Sequence, residues 1–199
     1  MNIVVISPHA DDETLGCGGT LLKHKNNKEN IFFFFLTKPS QQNYSKEFIA
    51  KRKKEINYVK KKYRVQKLFQ LNYEPASLDD IPLKNLIGDV SNIFKEIKPD
   101  IIYLPFRNDI HTDHRVVFDA VMSCTKSFRF PSIKKVLMYE TISETEFAPP
   151  FSNNVFQPNC FSDISEYIEE KIKIMNIYES EIGNHPFPRN GKNIKALAT

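Results

Sequence analysis

Two short stretches of the chain, residues 3–6 ("IVVI") and 31–37 ("IFFFFLT"), are apolar at almost every position and rich in β-branched or aromatic side chains. Such runs have no polar face to turn to water, so they predict strands covered on both sides, as in a parallel sheet. Residues 67–71 ("KLFQL"), 100–105 ("DIIYLP") and 135–140 ("KVLMYE") predict three more strands. Between the first two, residues 14–25 are long enough for a helix, with Leu15, Gly18, Gly19 and Leu22 on one side. Phe48, Ile49, Ile56, Val59 and Tyr63 recur at helical spacing, and Pro82 opens a further helix whose inner face carries Leu83, Leu86, Ile87, Val90, Phe94 and Ile97. Val116, Val117, Ala120 and Val121 mark another, and Ile164, Ile168, Ile172 and Met175 a late one that "HPFPRN" ends.

Strands alternating with helices predict a doubly wound, Rossmann-like three-layer α/β/α arrangement with a mostly parallel sheet, connected by right-handed crossovers. Length is that of one domain over residues 1–199. Sheets of this kind bind ligands beyond the carboxyl ends of their strands. Two polar clusters fall there: "HADDE" (9–13) after the first strand, and "NDIHTDHR" (108–115) after the fourth.

The first cluster sets three carboxylates beside one histidine at the tip of a buried strand, where unpaired like charge is expensive. A positive charge among them resolves the conflict. If the two strand ends are neighbours, His9, Asp12 and His114 can share one divalent ion, and three protein ligands leave a position open for reacting water. Asp11, adjacent to a ligand but free, suits a general base that takes the proton of an activated water. His111 stands three residues before His114; protonated, it can stabilise an oxyanion and assist a leaving nitrogen, with Asp113 orienting it and raising its pKa. The arrangement serves carbonyl hydrolysis. The bland alternative is helix-capping aspartates and surface histidines, worth about 0.3–1 kcal/mol per acidic residue at a helix start.

"PHADDE" with "HTDHR" resembles the PIG-L/LmbE-like family of zinc-dependent N-acetyl-sugar deacetylases. The likeness runs on through "RKKE", "LDDIP", "YETISETE", "FQPNCFSDIS" and "HPFPRN". It implies the same roles: His9, Asp12 and His114 as metal ligands, Asp11 as base, and His111 with Asp113 as the oxyanion-stabilising pair. It implies Zn2+ as cofactor, with Fe2+ or another divalent cation as the alternative, and an N-acetylated amino sugar or its nucleotide or lipid conjugate as substrate. Relatives continue beyond "IKALAT", so a short C-terminal family segment is expected to be missing.

Arg52 falls on the apolar face of its helix, because Phe48, Arg52, Ile56, Val59 and Tyr63 are spaced 4-4-3-4. A guanidinium there needs a partner, either the substrate or a brace to Glu13 or Glu55. Arg52, Glu13, Asp109 and Tyr139 form the expected substrate-binding set; Tyr139 ends a strand on the site's side, where packing competes with a sugar contact. His185 and Arg189 fall in a proline-rich loop that could cover the pocket, with a surface loop as the default; His24 reads as exposed and Cys17 as a small packing residue.

Net charge is +4, too little to imply nucleic-acid binding, and the lysines of 51–62 read as a solvated helix face rather than an anion site. Three cysteines without C-x-x-C spacing argue against a disulfide framework and for a reducing, cytoplasmic setting. No stretch has the length of a membrane span and the N-terminus lacks a signal-peptide pattern. Two other functions stand beside hydrolysis: a non-haem iron oxygenase, since two histidines and a carboxylate also make its facial triad, and a glycan-binding relative that keeps the metal without turnover.

Overall fold

Apolar runs at 2–7, 30–37 and 101–105 become the three central strands of a five-stranded sheet in the computed structural model, which describes residues 1–152 and 154–199. The strands are β1 (Asn2–Ser7), β2 (Asn30–Thr37), β3 (Lys67–Tyr73), β4 (Ile101–Pro105) and β5 (Lys135–Tyr139), in the order β3-β2-β1-β4-β5. Every pairing is parallel, with Ile3 opposite both Ile31 and Ile101. The helices are α1 (Asp12–Asn26), α2 (Lys46–Tyr63), α3 (Leu83–Ile97), α4 (Thr112–Met122), α5 (Ile168–Met175) and α6 (Gly191–Leu197).

Side-chain alternation divides the core into two layers. Val5, Phe33 and Phe35 pack with Leu15, Leu21, Val59, Tyr63 and Ile174, beneath α1, α2 and α5. Val4, Ile6, Phe34 and Leu36 face the opposite way, onto Leu86, Val90, Phe94, Val117 and Val121 of α3 and α4. This is the doubly wound α/β arrangement that the strand and helix periods predict. The chain lays strands outward from β1 to β3 on one side, then returns to β4 and β5 on the other, so the winding reverses between β1 and β4. A crevice opens at such a reversal, beyond the carboxyl ends of the two strands.

The 4-4-3-4 pattern of α2 holds: Arg52, Ile56, Val59 and Tyr63 are buried, while Lys51, Lys53, Lys54, Lys61 and Lys62 are exposed. Two elements differ from the sequence reading. The late helix starts at Ile168, because Ile164 instead packs its side chain against Gly19 of α1. Helix α6 follows the "HPFPRN" break, started by Asn190, whose side chain accepts from the Asn193 amide.

Gly16 shows how tightly α1 meets the sheet. A Cβ there would fall 2.2 Å from Tyr139 Cδ2, in the body of a ring whose hydroxyl is tied to the Ile6 carbonyl at 2.9 Å. Gly16→Ala should therefore destabilise the fold by about 1–3 kcal/mol despite alanine's better helix propensity. Urea unfolding followed by circular dichroism reads this.

Among the described residues, no helix is long and apolar enough to cross a membrane.

Candidate metal centre

The crevice between β1 and β4 holds both polar clusters. Pro8 to Asp11 leaves β1, and Asp11 begins α1 with φ 147, a strained value for any residue but glycine. Glu13 holds that turn: its Oε2 accepts from the Asp11 amide at 3.0 Å, while its Oε1 accepts from Thr14 Oγ1 at 2.7 Å and Tyr178 OH at 3.0 Å. From the other strand, Asp109 precedes α4 and His111 caps it, its Nδ1 accepting from the Asp113 amide at 3.1 Å.

His9, Asp12 and His114 each present one donor atom within 4.8 Å of the others. Asp12 Oδ2 lies 3.5 Å from His9 Nδ1 and 3.4 Å from His114 Nε2. Ligand atoms about 2.0–2.1 Å from a tetrahedral zinc stand roughly 3.4 Å apart, so these spacings fit one ion. The tautomers fit as well. His9 Nε2 donates to Asp113 Oδ2 at 2.8 Å and His114 Nδ1 donates to Asp109 Oδ2 at 2.8 Å, so a neutral ring in each case keeps its lone pair on the nitrogen facing Asp12. His114 Nε2 is buried without a hydrogen-bond partner, the orphan that a cation would satisfy. A second grouping, His9, His111 and Asp113, is also close. There the Asp113 carboxylate is already filled by His9 and by the amides of Ala76 (2.7 Å) and Leu78 (3.0 Å), which leaves it poorly suited as a ligand.

Electrostatics answer the question of the crowded carboxylates. Burial alone would lower the pKa of both imidazoles, but Asp113 and Asp12 raise His9 to about 9, and Asp12 and Asp109 raise His114 to about 10. Burial would raise Asp12; His114 and His9 outweigh it and hold Asp12 well below the usual carboxylate range. Without an ion, protons supply the missing positive charge. Burial, then Asp12, push Asp11 well above its ordinary value against the pull of Arg189.

A cavity of about 260 Å³ opens onto His9, Asp11 and His111, with Arg52, Glu144, Glu181 and Arg189 also in its lining. Arg52 sits 7% exposed, donating to the Ala10 carbonyl at 2.8 Å and pairing with Glu181 and with Glu55 at 3.4 Å rather than with Glu13. Three of the expected substrate contacts are corrected. Glu13 and Asp109 are both 0% exposed, with their oxygens engaged in bracing Asp11 and His114; Tyr139 is 5% exposed and its hydroxyl donates to Ile6. Tyr139→Phe should then cost about 1–2 kcal/mol of stability and leave substrate KM unchanged, as denaturation and steady-state rates on the same preparation would show.

His111 also differs from expectation. Burial first, then His9 and His114, lower its pKa to about 4, and the Asp113 carboxylate turns to His9 instead of to it. With Nδ1 accepting from an amide, the neutral ring carries its proton on Nε2. His24 is not free either, bonding Glu29 and, at 2.9 Å, Tyr103 OH.

Sequence reasoning noted Arg189 only within a loop that could cover the pocket and gave its guanidinium no role. Its Nη1 donates to Asp11 Oδ2 at 2.7 Å, its Nη2 to Glu144 Oε1 at 3.0 Å and its Nε to Ser143 Oγ at 2.6 Å. Proline-rich flanks read as a surface loop; the surplus of carboxylates at 11–13 was the signal that a distant cation must reach them. His185 lies away from this cavity, in a separate surface groove with α5 and α6 residues.

A family model described as PIG-L, GlcNAc-PI de-N-acetylase, matches residues 4–125. The chain belongs to this family. Both polar clusters of the PIG-L chain fall inside the matched region. It is 20% identical over 187 residues to the diacetylchitobiose deacetylase of Thermococcus kodakarensis, covering 90% of this chain and 69% of that protein. Among solved structures, the N,N'-diacetylchitobiose deacetylase of Pyrococcus horikoshii, bound to an inhibitor, aligns with TM-score 0.76 at 19% identity, over 98% of this chain and 76% of that one. The zinc-inhibited form of a teicoplanin deacetylase aligns with TM-score 0.73 at 18% identity, over 91% of this chain and 85% of that one. At these identities the structural likeness speaks for the PIG-L fold.

Proposed function

We propose that this PIG-L chain is a metal-dependent N-deacetylase that removes the acetyl group from an amino sugar or amino-sugar conjugate. The observation that carries the reading is the convergence of His9, Asp12 and His114, with an unpartnered His114 Nε2, beside a cavity that His9 lines together with Asp11 and His111. Two imidazoles and a carboxylate suit zinc, and Fe2+ is the alternative for the same ligands. A bound divalent cation supplies Lewis acidity, polarising the amide carbonyl and acidifying water.

The chain's own groups do the rest. Asp11 takes a proton from the attacking water as its oxygen bonds to the acyl carbon. His111, neutral with its proton on Nε2, donates a hydrogen bond to the oxygen on which negative charge grows. A neutral imidazole serves here as a donor rather than as the strong acid, so Asp11 returns its proton to the nitrogen while the C–N bond breaks. Acetate and a free amine leave. Arg189 and Glu13 keep Asp11 in place through its carboxylate and its amide, and Asp113 and Asp109 fix the ring orientation of His9 and His114.

The relatives' substrates, diacetylchitobiose and teicoplanin, motivate the choice of an N-acetylated sugar. An all-parallel α/β sheet weighs against an iron oxygenase, whose facial triad usually sits in a jelly roll. The test is an acetate-release screen of zinc-loaded protein over N-acetylated sugars and their nucleotide conjugates. Acetate from at least one of them supports the reading; tight sugar binding with no acetate replaces it with the binding protein.

A further inference from the structure

Part of the lining of the cavity beside the metal-capable group is aromatic. Tyr44 and Phe48 both line it, both half-buried, with ring centroids 5.0 Å apart and planes inclined by 21°. The Arg52 guanidinium lies 5.4 Å from the Phe48 centroid, so the three side chains form a tier in which Tyr44 is the outermost ring. Pro39 and Pro75 extend the apolar wall, while Gln70, Glu144 and Glu181 supply hydrogen-bonding groups elsewhere in the same cavity. A pyranose has the same division: a patch of C–H groups on one face, which an aromatic π-face attracts, and hydroxyls around its edge.

Charge and size narrow the ligand further. Both guanidiniums in the lining are taken: Arg52 by Glu181, Glu55 and the Ala10 carbonyl, Arg189 by Asp11, Glu144 and Glu181. None of the exposed lysines of α2 is in the lining. A phosphate entering here finds carboxylates and no free fork of donors. The volume of about 260 Å³ is just below the roughly 300–1,000 Å³ of sites that enclose a drug-sized ligand, which suits one sugar residue with its attached group outside the mouth.

We propose that Tyr44 is the stacking shelf for the pyranose ring of an uncharged N-acetylated sugar, and that the cavity discriminates against sugars carrying phosphate at the anomeric position. This rests on the deacetylase reading for the acetyl group, but its test does not depend on turnover. Calorimetry on the zinc-loaded Asp11→Asn chain would compare methyl N-acetyl-β-glucosaminide with N-acetylglucosamine 1-phosphate, and then repeat both in Asp11→Asn/Tyr44→Leu and Asp11→Asn/Tyr44→Phe. The neutral glycoside is expected to bind more tightly than the phosphate. Leucine at Tyr44 should weaken it by roughly 3- to 10-fold, whereas phenylalanine should not, because the ring and not the hydroxyl makes the contact. Thermal melting of each variant separates lost binding from lost fold, and Tyr44→Phe gives a second, conservative comparison. Equal binding by the leucine variant, tighter binding of the phosphate, or no binding of either sugar would overturn the shelf. Acetate release by the wild type bears on the hydrolase alone, so the two readings fail separately.

Discussion

Asp11→Asn is expected to lower kcat by roughly 10²–10⁴-fold while zinc remains bound at one ion per chain. The carboxylate has no place among the ligand atoms, so its loss should spare the metal. It is nonetheless the group best placed to carry a proton: buried to 3% exposure, lining the cavity, and pushed well above the normal carboxylate pKa by burial and by Asp12. The substitution is nearly isosteric, and Arg189 can still donate to the amide oxygen, so the strained turn at φ 147 should survive. Acetate release and metal content measured on one preparation decide the matter. A variant retaining more than a tenth of wild-type kcat would remove Asp11 from the chemistry, and one that loses zinc would recast it as a ligand.

The parts of this protein written in local pattern were legible before its fold was known. Fully apolar runs such as "IFFFFLT" have one stable environment, between two helical layers, and they found it. The convergence of the two polar clusters was legible for a related reason: carboxylates crowded after a buried strand pose a charge problem, and "HTDHR" is the cluster that the same sheet edge brings to them. What stayed hidden depends on long-range packing. Nothing local tells that Tyr139 turns inward over Gly16, or that Asp109 reaches back to His114 instead of out to a ligand. Arg189 was the hardest, since its value comes from Asp11, far away in the chain, and its own surroundings resemble an ordinary loop. His111 was misjudged by attending to its neighbour's carboxylate; the backbone amide of that same neighbour is what fixes its tautomer.

Removing His114 should have the other large effect, and a different signature. His114→Ala is expected to abolish both stable zinc binding and acetate release, because the two remaining ligands cannot replace a buried imidazole. Asp109→Asn gives the graded companion: it keeps the shape of the support but weakens the hydrogen bond to Nδ1, and a loss of about 10- to 100-fold in metal affinity should follow. Protons make the argument quantitative. His9 and His114, at about 9 and about 10 in the ion-free protein, are both protonated at neutral pH and must each lose a proton to bind metal. Since these values lie above the working pH, affinity should rise as pH rises, by nearly a hundredfold per pH unit between about 6 and 8, with up to two protons released per ion. Calorimetry in buffers of different ionisation enthalpy counts those protons directly. His114→Ala should give no binding heat to analyse, whereas Asp109→Asn keeps both protons but lowers the pKa from which the one on His114 leaves. A zinc affinity independent of pH would mean that His9 and His114 are already neutral in the ion-free protein, whereas undiminished zinc in His114→Ala would place the ion elsewhere, and the hydrolase built on these three ligands would fall with it.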